Sequence, residues 1–244
     1  MESLPDKKKI LYALQKGEIS TQGQFIQGSN YTFQGQTTYD GQTYAVVYKP
    51  IRGEQPLWDF PIGSLARREV AAFLVSDSLG WDLVPPTVYR QDGSYGPGSV
   101  QYYVEHDPDY HYFNFTPTDV QRLRPAVVFD MLINNADRKA SHVLKDPFGH
   151  IWLIDHGVCF HTEDKLRTVI WNFAGEPISA ALASDLLNFE HKLNKPGGRL
   201  ANLLCTLLST KEVEELSQRT RRLVQIENFP NPATDRRPYP WPPL

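Results

Sequence analysis

Apolar residues alternate with polar ones over residues 18–49 and recur at helical spacing over residues 64–79, so the period of the pattern changes within the first third of the chain. The alternating part predicts three antiparallel strands. Tyr39-Asp40-Gly41-Gln42 is a hairpin signal between the second and third, and Gly28-Ser29-Asn30 is a turn between the first and second. A short helix over 6–16, stopped by Gly17, precedes them. After a loop rich in Pro and Gly over 50–63, SLARREVAAFLVSDSLG predicts a helix with Ser64 as its N-cap and Gly80 as its C-cap. VPPTVYR and GSVQYYVEH add two strands. Beyond residue 106 the pattern is mainly helical, over 116–134, 179–194, 198–208 and 210–228. One hairpin interrupts it, HVLKDPFGHIWLID, turning at Asp146-Pro147-Phe148-Gly149. The last residues, FPNPATDRRPYPWPPL, suit neither a helix nor a central strand.

This order gives an α+β chain: an antiparallel sheet with one helix over residues 1–104, a helical part over 105–229 and a Pro-rich tail over 230–244. At 244 residues and 41% hydrophobic, the chain can bury a sizeable core. A net charge of −3 gives no global footprint for nucleic acid or an anionic membrane. Cys159 and Cys205 are too few for a disulfide framework, and no apolar run is long enough for a signal peptide or a membrane span. The expectation is a soluble, cytosolic protein. Its histidines show no zinc-like pairing with cysteine. Trp58, Trp81, Trp152 and Trp171 are expected to pack internally. The tail is expected to wrap the body or stay disordered, with a role as a groove ligand the lesser alternative.

Two stretches break the apolar pattern. NNADRKASHVL, residues 134–144, ends the apolar run PAVVFDMLI in a polar cluster, and IWLIDHGVCF, residues 151–160, reads as a buried strand stopped by Asp155-His156-Gly157. Asp137 and Asp155 thus lie at the mouths of two loops flanking one hairpin.

A sheet with one helix, followed by helices carrying such a hairpin, resembles the bilobal protein-kinase-like fold. NADRKASHVL is similar to the catalytic loop of the phosphatidylinositol 3-/4-kinase and HipA-type branch, and IDHG to the Asp-Phe-Gly metal motif. VVYKPIRGEQPLWDFPIGSLARREVAAFLVSDSLGW with VPPTV is similar to a small uncharacterised bacterial family of that branch, over most of residues 17–180. The resemblance implies an ATP-dependent phosphotransferase using Mg²⁺ or Mn²⁺. In it Lys49 reaches the phosphates and Glu69 pairs with Lys49. Asp137 orients the acceptor and takes its proton, and Asp155 carries the metal. Arg138 and Lys139 neutralise phosphate or fix the loop. Gly28, Ser29 and Asn30 offer amides and a hydroxyl to phosphate, and adenine bonds to the connector from Gln101 through Val104 to His106. No GxGxxG motif is present, in keeping with the lipid-kinase-like branch. The departures are His156 in place of Phe, and His142 where the pattern has a metal-binding Asn. As a ligand, an ordinary imidazole would release the metal below about pH 6.5.

Each residue also has a plainer reading. Lys49 is a solvated strand end, Glu69 pairs with Arg67 or Arg68, Asp137 and Asp155 are turn residues, and His142 is a structural hydrogen-bonder. The function likewise has alternatives: an AMP-transferring enzyme, a nucleotide-binding pseudokinase scaffold, or an interaction module that binds no nucleotide. The expected partners are ATP and a hydroxyl acceptor, either a small molecule or a protein Ser/Thr, with no nucleic acid and no integral membrane association. Neither the acceptor nor the oligomeric state is legible.

Overall fold

The computed structural model describes residues 6–25 and 30–244. Gly28 and Ser29 therefore lie outside the described residues. Helix α1 (Lys7–Lys16) is capped by the Asp6 carboxylate, which accepts from the Lys8 amide. Strands β1 (Glu18–Phe25), β2 (Thr32–Tyr39) and β3 (Gln42–Pro50) follow as a meander. The β2–β3 turn is tight because Asp40 and Gly41 both take positive φ, 49° and 70°. Strands β4 (Thr87–Gly93) and β5 (Gly96–Tyr102) form a hairpin that joins through β5, giving an antiparallel sheet of order β1-β2-β3-β5-β4. Gly98 makes that junction possible, since a Cβ there would lie 2.4 Å from the carbonyl oxygen of Lys49.

Helix α2 (Leu65–Leu79) crosses between this sheet and the helical part. Its Ala71, Ala72, Phe73, Val75 and Leu79 join the main hydrophobic core, together with Leu83 and Val84 just after it and residues from Phe115 to Phe229. Gly80 ends it in the left-handed region, as expected. Ser64 occupies the N-cap position without capping. Its hydroxyl donates to the Pro61 carbonyl, and the Ala66 amide is satisfied by Glu54 instead. Val46, Tyr48, Val88 and Val100 form a second core against Ile10 and Leu14 of α1 on the opposite sheet face.

The run over 116–134 forms two helices, α3 (Pro117–Gln121) and α4 (Arg124–Ile133). Pro125 has no N–H to continue α3 and suits the first turn of a new helix. Strands β6 (Val143–Lys145) and β7 (Ile151–Leu153) pair as the anticipated hairpin, followed by α5 (Ala180–Leu193), α6 (Arg199–Cys205) and α7 (Thr210–Gln225). No helix among the described residues is long and apolar enough to cross a membrane. The tail wraps the body. Phe229 is buried against Phe173, the Pro238 carbonyl accepts from the Thr168 amide at 3.0 Å, and the Pro243 carbonyl accepts from Ala140 at 2.9 Å. Trp58 does not pack internally as expected. It is 91% exposed on the loop before α2, where Lys165 lies over its ring.

Candidate functional site

Pairing of Lys49 with Ser99 and of Val47 with Gln101 sets Lys49 on the sheet face away from the α1 core. Its ammonium bonds to Glu69 Oε1 on α2 and lies 3.1 Å from Asp155 Oδ1. Burial alone would lower the Lys49 pKa, but the Asp155 and Glu69 carboxylates more than offset it and hold the amine charged above its ordinary value. Lys49 in turn keeps Asp155 well below the usual carboxylate range, against the effect of burial. Glu69 does not use its neighbours. Arg68 is buried against Glu212 and the Cys159 carbonyl, and Arg67 stacks over Tyr89. Gly157 lets α2 pass close to Asp155, because a Cβ there would come within 3.3 Å of Leu65.

The polar end of α4 closes the site from the other side. Asn134 takes φ 53° as the helix C-cap, and the Asn135 side chain accepts from the Asp137 amide at 3.0 Å. The Asp137 carboxyl, 3.5 Å from the Lys139 ammonium, is pushed up to about 6, chiefly by burial; Lys139 opposes the shift and Asp155 adds to it. His142 Nδ1 lies 3.0 Å from the Asp137 carbonyl, which only accepts, and 3.4 Å from the Lys139 amide, which only donates; the shorter contact places the ring proton on Nδ1. The lone pair of Nε2 is then left facing Asp155 Oδ2 at 3.4 Å. Burial lowers the His142 pKa to about 4, so the expectation of protonation near pH 6.5 does not hold and the ring is neutral across the working range. Asp155 itself takes φ 60°, a backbone conformation a non-glycine residue adopts only when its surroundings require it.

Arg138 is fully buried and its donors face protein groups. Nε and Nη2 bond to Asp130, Nη2 also to His156, and Nη1 to the carbonyls of His142 and Ile154. Of its two expected roles, fixing the loop is the one this geometry supports; no N–H remains for a phosphate. The Asn30 amide oxygen accepts from the Gln55 amide at 2.7 Å, which ties it to the loop before α2. The Gln101 side chain donates to Thr87 at 2.8 Å, and its backbone lies inside β5 with neighbours on both sides. Val104, in the connector, is buried with Leu144 and Trp152 in a small apolar cluster. Its carbonyl is taken by the His106 ring, and its amide has no partner among the described residues.

Two buried residues escaped the sequence reading. Asp130 stands alone in the apolar run of α4, and a lone acid there requires a buried cation; that signal was available. His156 was seen only as a departure from Phe.

The residues a divalent cation would use are Asp155 and His142. Two ligands about 2.1 Å from one ion and at right angles lie about 3.0 Å apart, close to the 3.4 Å between their atoms. No group of three or more His, Cys, Asp or Glu suited to a metal occurs among the described residues.

Fold and site together define an α+β protein in which a lysine, an imidazole and three carboxylates converge where the sheet meets the helices. No family model matches the chain. It is 37% identical over 264 residues to Protein Rv2133c of Mycobacterium tuberculosis (strain ATCC 25618 / H37Rv), across 94% of this chain and 93% of that protein, and it belongs to that protein's family. It is also 26% identical over 182 residues to Phosphatidylinositol 4-kinase gamma 4 of Oryza sativa subsp. japonica, across 59% of this chain and 32% of that protein. The crystal structure of a Helicobacter pylori proinflammatory kinase, CtkA, superposes with a TM-score of 0.48 at 12% identity, over 88% of this chain and 99% of that one. That score is too low to establish a shared fold.

Proposed function

We propose that this chain is an ATP-dependent phosphotransferase of the protein-kinase-like superfamily, which moves the γ-phosphoryl of ATP to a hydroxyl acceptor. The observation that carries the reading is the Lys49 ammonium held between Glu69 and Asp155, with His142 Nε2 directed at the same Asp155. The likeness to Phosphatidylinositol 4-kinase gamma 4 supports it. In this reading residues 1–104 form the nucleotide lobe, residues 105–229 the catalytic lobe and 230–244 a strap. The reaction is cytosolic, in keeping with two free thiols.

Phosphoryl transfer needs positioning and charge neutralisation more than covalent chemistry. Lys49 moves from Asp155 to the phosphates and stays registered by Glu69. Asp155 and His142 hold Mg²⁺ or Mn²⁺, which when bound supplies positive charge to the phosphate oxygens. Adenine lies against Val104 and Leu144 and bonds to the Val104 amide. Asp137, with a pKa of about 6, is matched to accept the acceptor's proton near neutral pH. The test is incubation of the protein and a metabolite extract with ATP labelled at the γ or the α phosphorus. Transfer of the γ label supports the reading, transfer of the α label supports AMP transfer, and nucleotide binding with no transfer supports a pseudokinase.

A further inference from the structure

His156 occupies the position where the resembling metal motif carries Phe, and its ring is completely buried, edge-on to Phe129 at 5.8 Å between centroids. A phenyl ring would fill that space; the imidazole adds two nitrogens that must be accounted for. Arg138 Nη2 lies 2.8 Å from His156 Nε2, and a guanidinium has only donors, so Nε2 carries the lone pair and Nδ1 the proton. That Nδ1–H has no partner. The nearby Glu69 Oε2 stands 3.9 Å away and already accepts from the His156 amide at 2.9 Å. A buried N–H left unpaired is costly, and Phe would avoid that cost.

The two ends of the imidazole therefore face the two halves of the site. Glu69 Oε1 holds Lys49 on one side. On the other, Arg138 is anchored by Asp130 and binds the carbonyls of His142 and Ile154, which fixes the loop carrying Asp137 and the chain leading into Asp155. Side chains line up in the order Lys49, Glu69, His156, Arg138, Asp130, and every side-chain link in that line is made except the one across the 3.9 Å gap between Glu69 and the His156 ring.

We propose that His156 is a positioning residue that couples the nucleotide-side pair Lys49 and Glu69 to the Arg138-anchored loop bearing Asp137, and that its gap to Glu69 closes to a hydrogen bond when metal and nucleotide draw Lys49 away from Asp155. This rests on the phosphotransferase reading. Closure needs a movement of only about 1 Å to reach ordinary hydrogen-bond length, within reach of a small rotation of the Glu69 carboxylate.

The experiment uses the full chain with magnesium and a non-hydrolysable ATP analogue. Imidazole ¹⁵N resonances of His156 should show the neutral Nδ1–H tautomer. Adding the magnesium analogue should shift the Nδ1 proton downfield and slow its exchange with water. His156→Phe keeps the ring shape and should leave analogue affinity within about threefold while acceptor-free ATP hydrolysis falls about tenfold or more. His156→Gln offers an amide oxygen to Arg138 and an N–H to Glu69, and should restore most of that rate. An Nε2–H tautomer, a proton signal indifferent to the analogue, a Phe variant that hydrolyses ATP like the wild type, or a loss confined to affinity overturns the proposal. If the Phe variant fails to fold, the wild-type resonances decide. A folded wild type that binds no analogue overturns the phosphotransferase reading and this proposal together, whereas any contrary result with binding intact overturns this proposal alone.

Discussion

His142 Nε2 lies 3.4 Å from Asp155 Oδ2, and the Asp137 carbonyl, by accepting a hydrogen bond from Nδ1–H, leaves that Nε2 lone pair free. The site therefore offers one nitrogen and one carboxylate oxygen where purely oxygen ligation would favour Mg²⁺. Mn²⁺ should support tighter nucleotide-analogue binding than Mg²⁺ at equal concentration, and His142→Asn should shift the ratio towards Mg²⁺. Calorimetric titration with each metal measures this; an unchanged ratio in the variant contradicts ligation by His142. Because burial lowers the His142 pKa to about 4, metal-dependent binding should hold between pH 8 and pH 6.

In the proposed reading, Asp137 sets catalysis against stability. Its folded pKa of about 6 lies above the unfolded value of about 3.9. The folded chain thus holds a proton that the unfolded chain has released, and the stabilisation present below about pH 4 is lost as pH rises through about 6. Asn cannot ionise, so Asp137→Asn should be more stable than the wild type at pH 8 by about 1 kcal/mol, discounted because the side chain is 32% exposed. Melting curves at pH 8 and pH 4.5 test this, and the advantage should shrink at the lower pH. The same variant should lose phosphoryl transfer and keep nucleotide binding. Wild-type transfer should fall as pH drops below about 6, where the base becomes protonated.

The ion pair of Arg138 and Asp130 is fully enclosed, so removing one partner strands the other charge. Asp130→Ala should cost about 3–5 kcal/mol in denaturant unfolding. Arg138→Lys should be strongly destabilising too, since an ammonium cannot replace a planar fork that bonds Asp130, His156 and two carbonyls at once. A near-neutral result for either variant contradicts the anchoring role.

Phe229 fastens the start of the tail against Phe173. Phe229→Ala should cost about 3–5 kcal/mol and should loosen the tail's bonds to Thr168 and Ala140. Amide exchange at those two residues reads the loosening directly, and unchanged protection would show that the tail docks without this anchor.

Periodicity made the strands, the helix α2 and the hairpin legible, because each buries one face of a regular pattern. It joined α3 to α4, since apolar spacing continues through Pro125 and only the missing N–H separates them. Asp137 and Asp155 stand out from the broken apolar pattern, whereas the roles of Lys49, Glu69 and His142 come from the resemblance; the chain brings all five together from β3, α2 and two loops. What stayed hidden was how donors are spent. That Arg138 has none left for phosphate, or that His156 has one left over, depends on contacts between positions far apart in sequence. Trp58 misled because aromatic character alone does not say which side of a loop faces water.

The most direct test of the account is calorimetric titration of the wild-type chain and Lys49→Ala with a non-hydrolysable ATP analogue, with and without Mg²⁺. The account predicts single-site, metal-dependent binding to the wild type that weakens about tenfold or more in Lys49→Ala. A folded wild type that binds no nucleotide in the presence of metal, or a Lys49→Ala variant that binds it equally well, would contradict it.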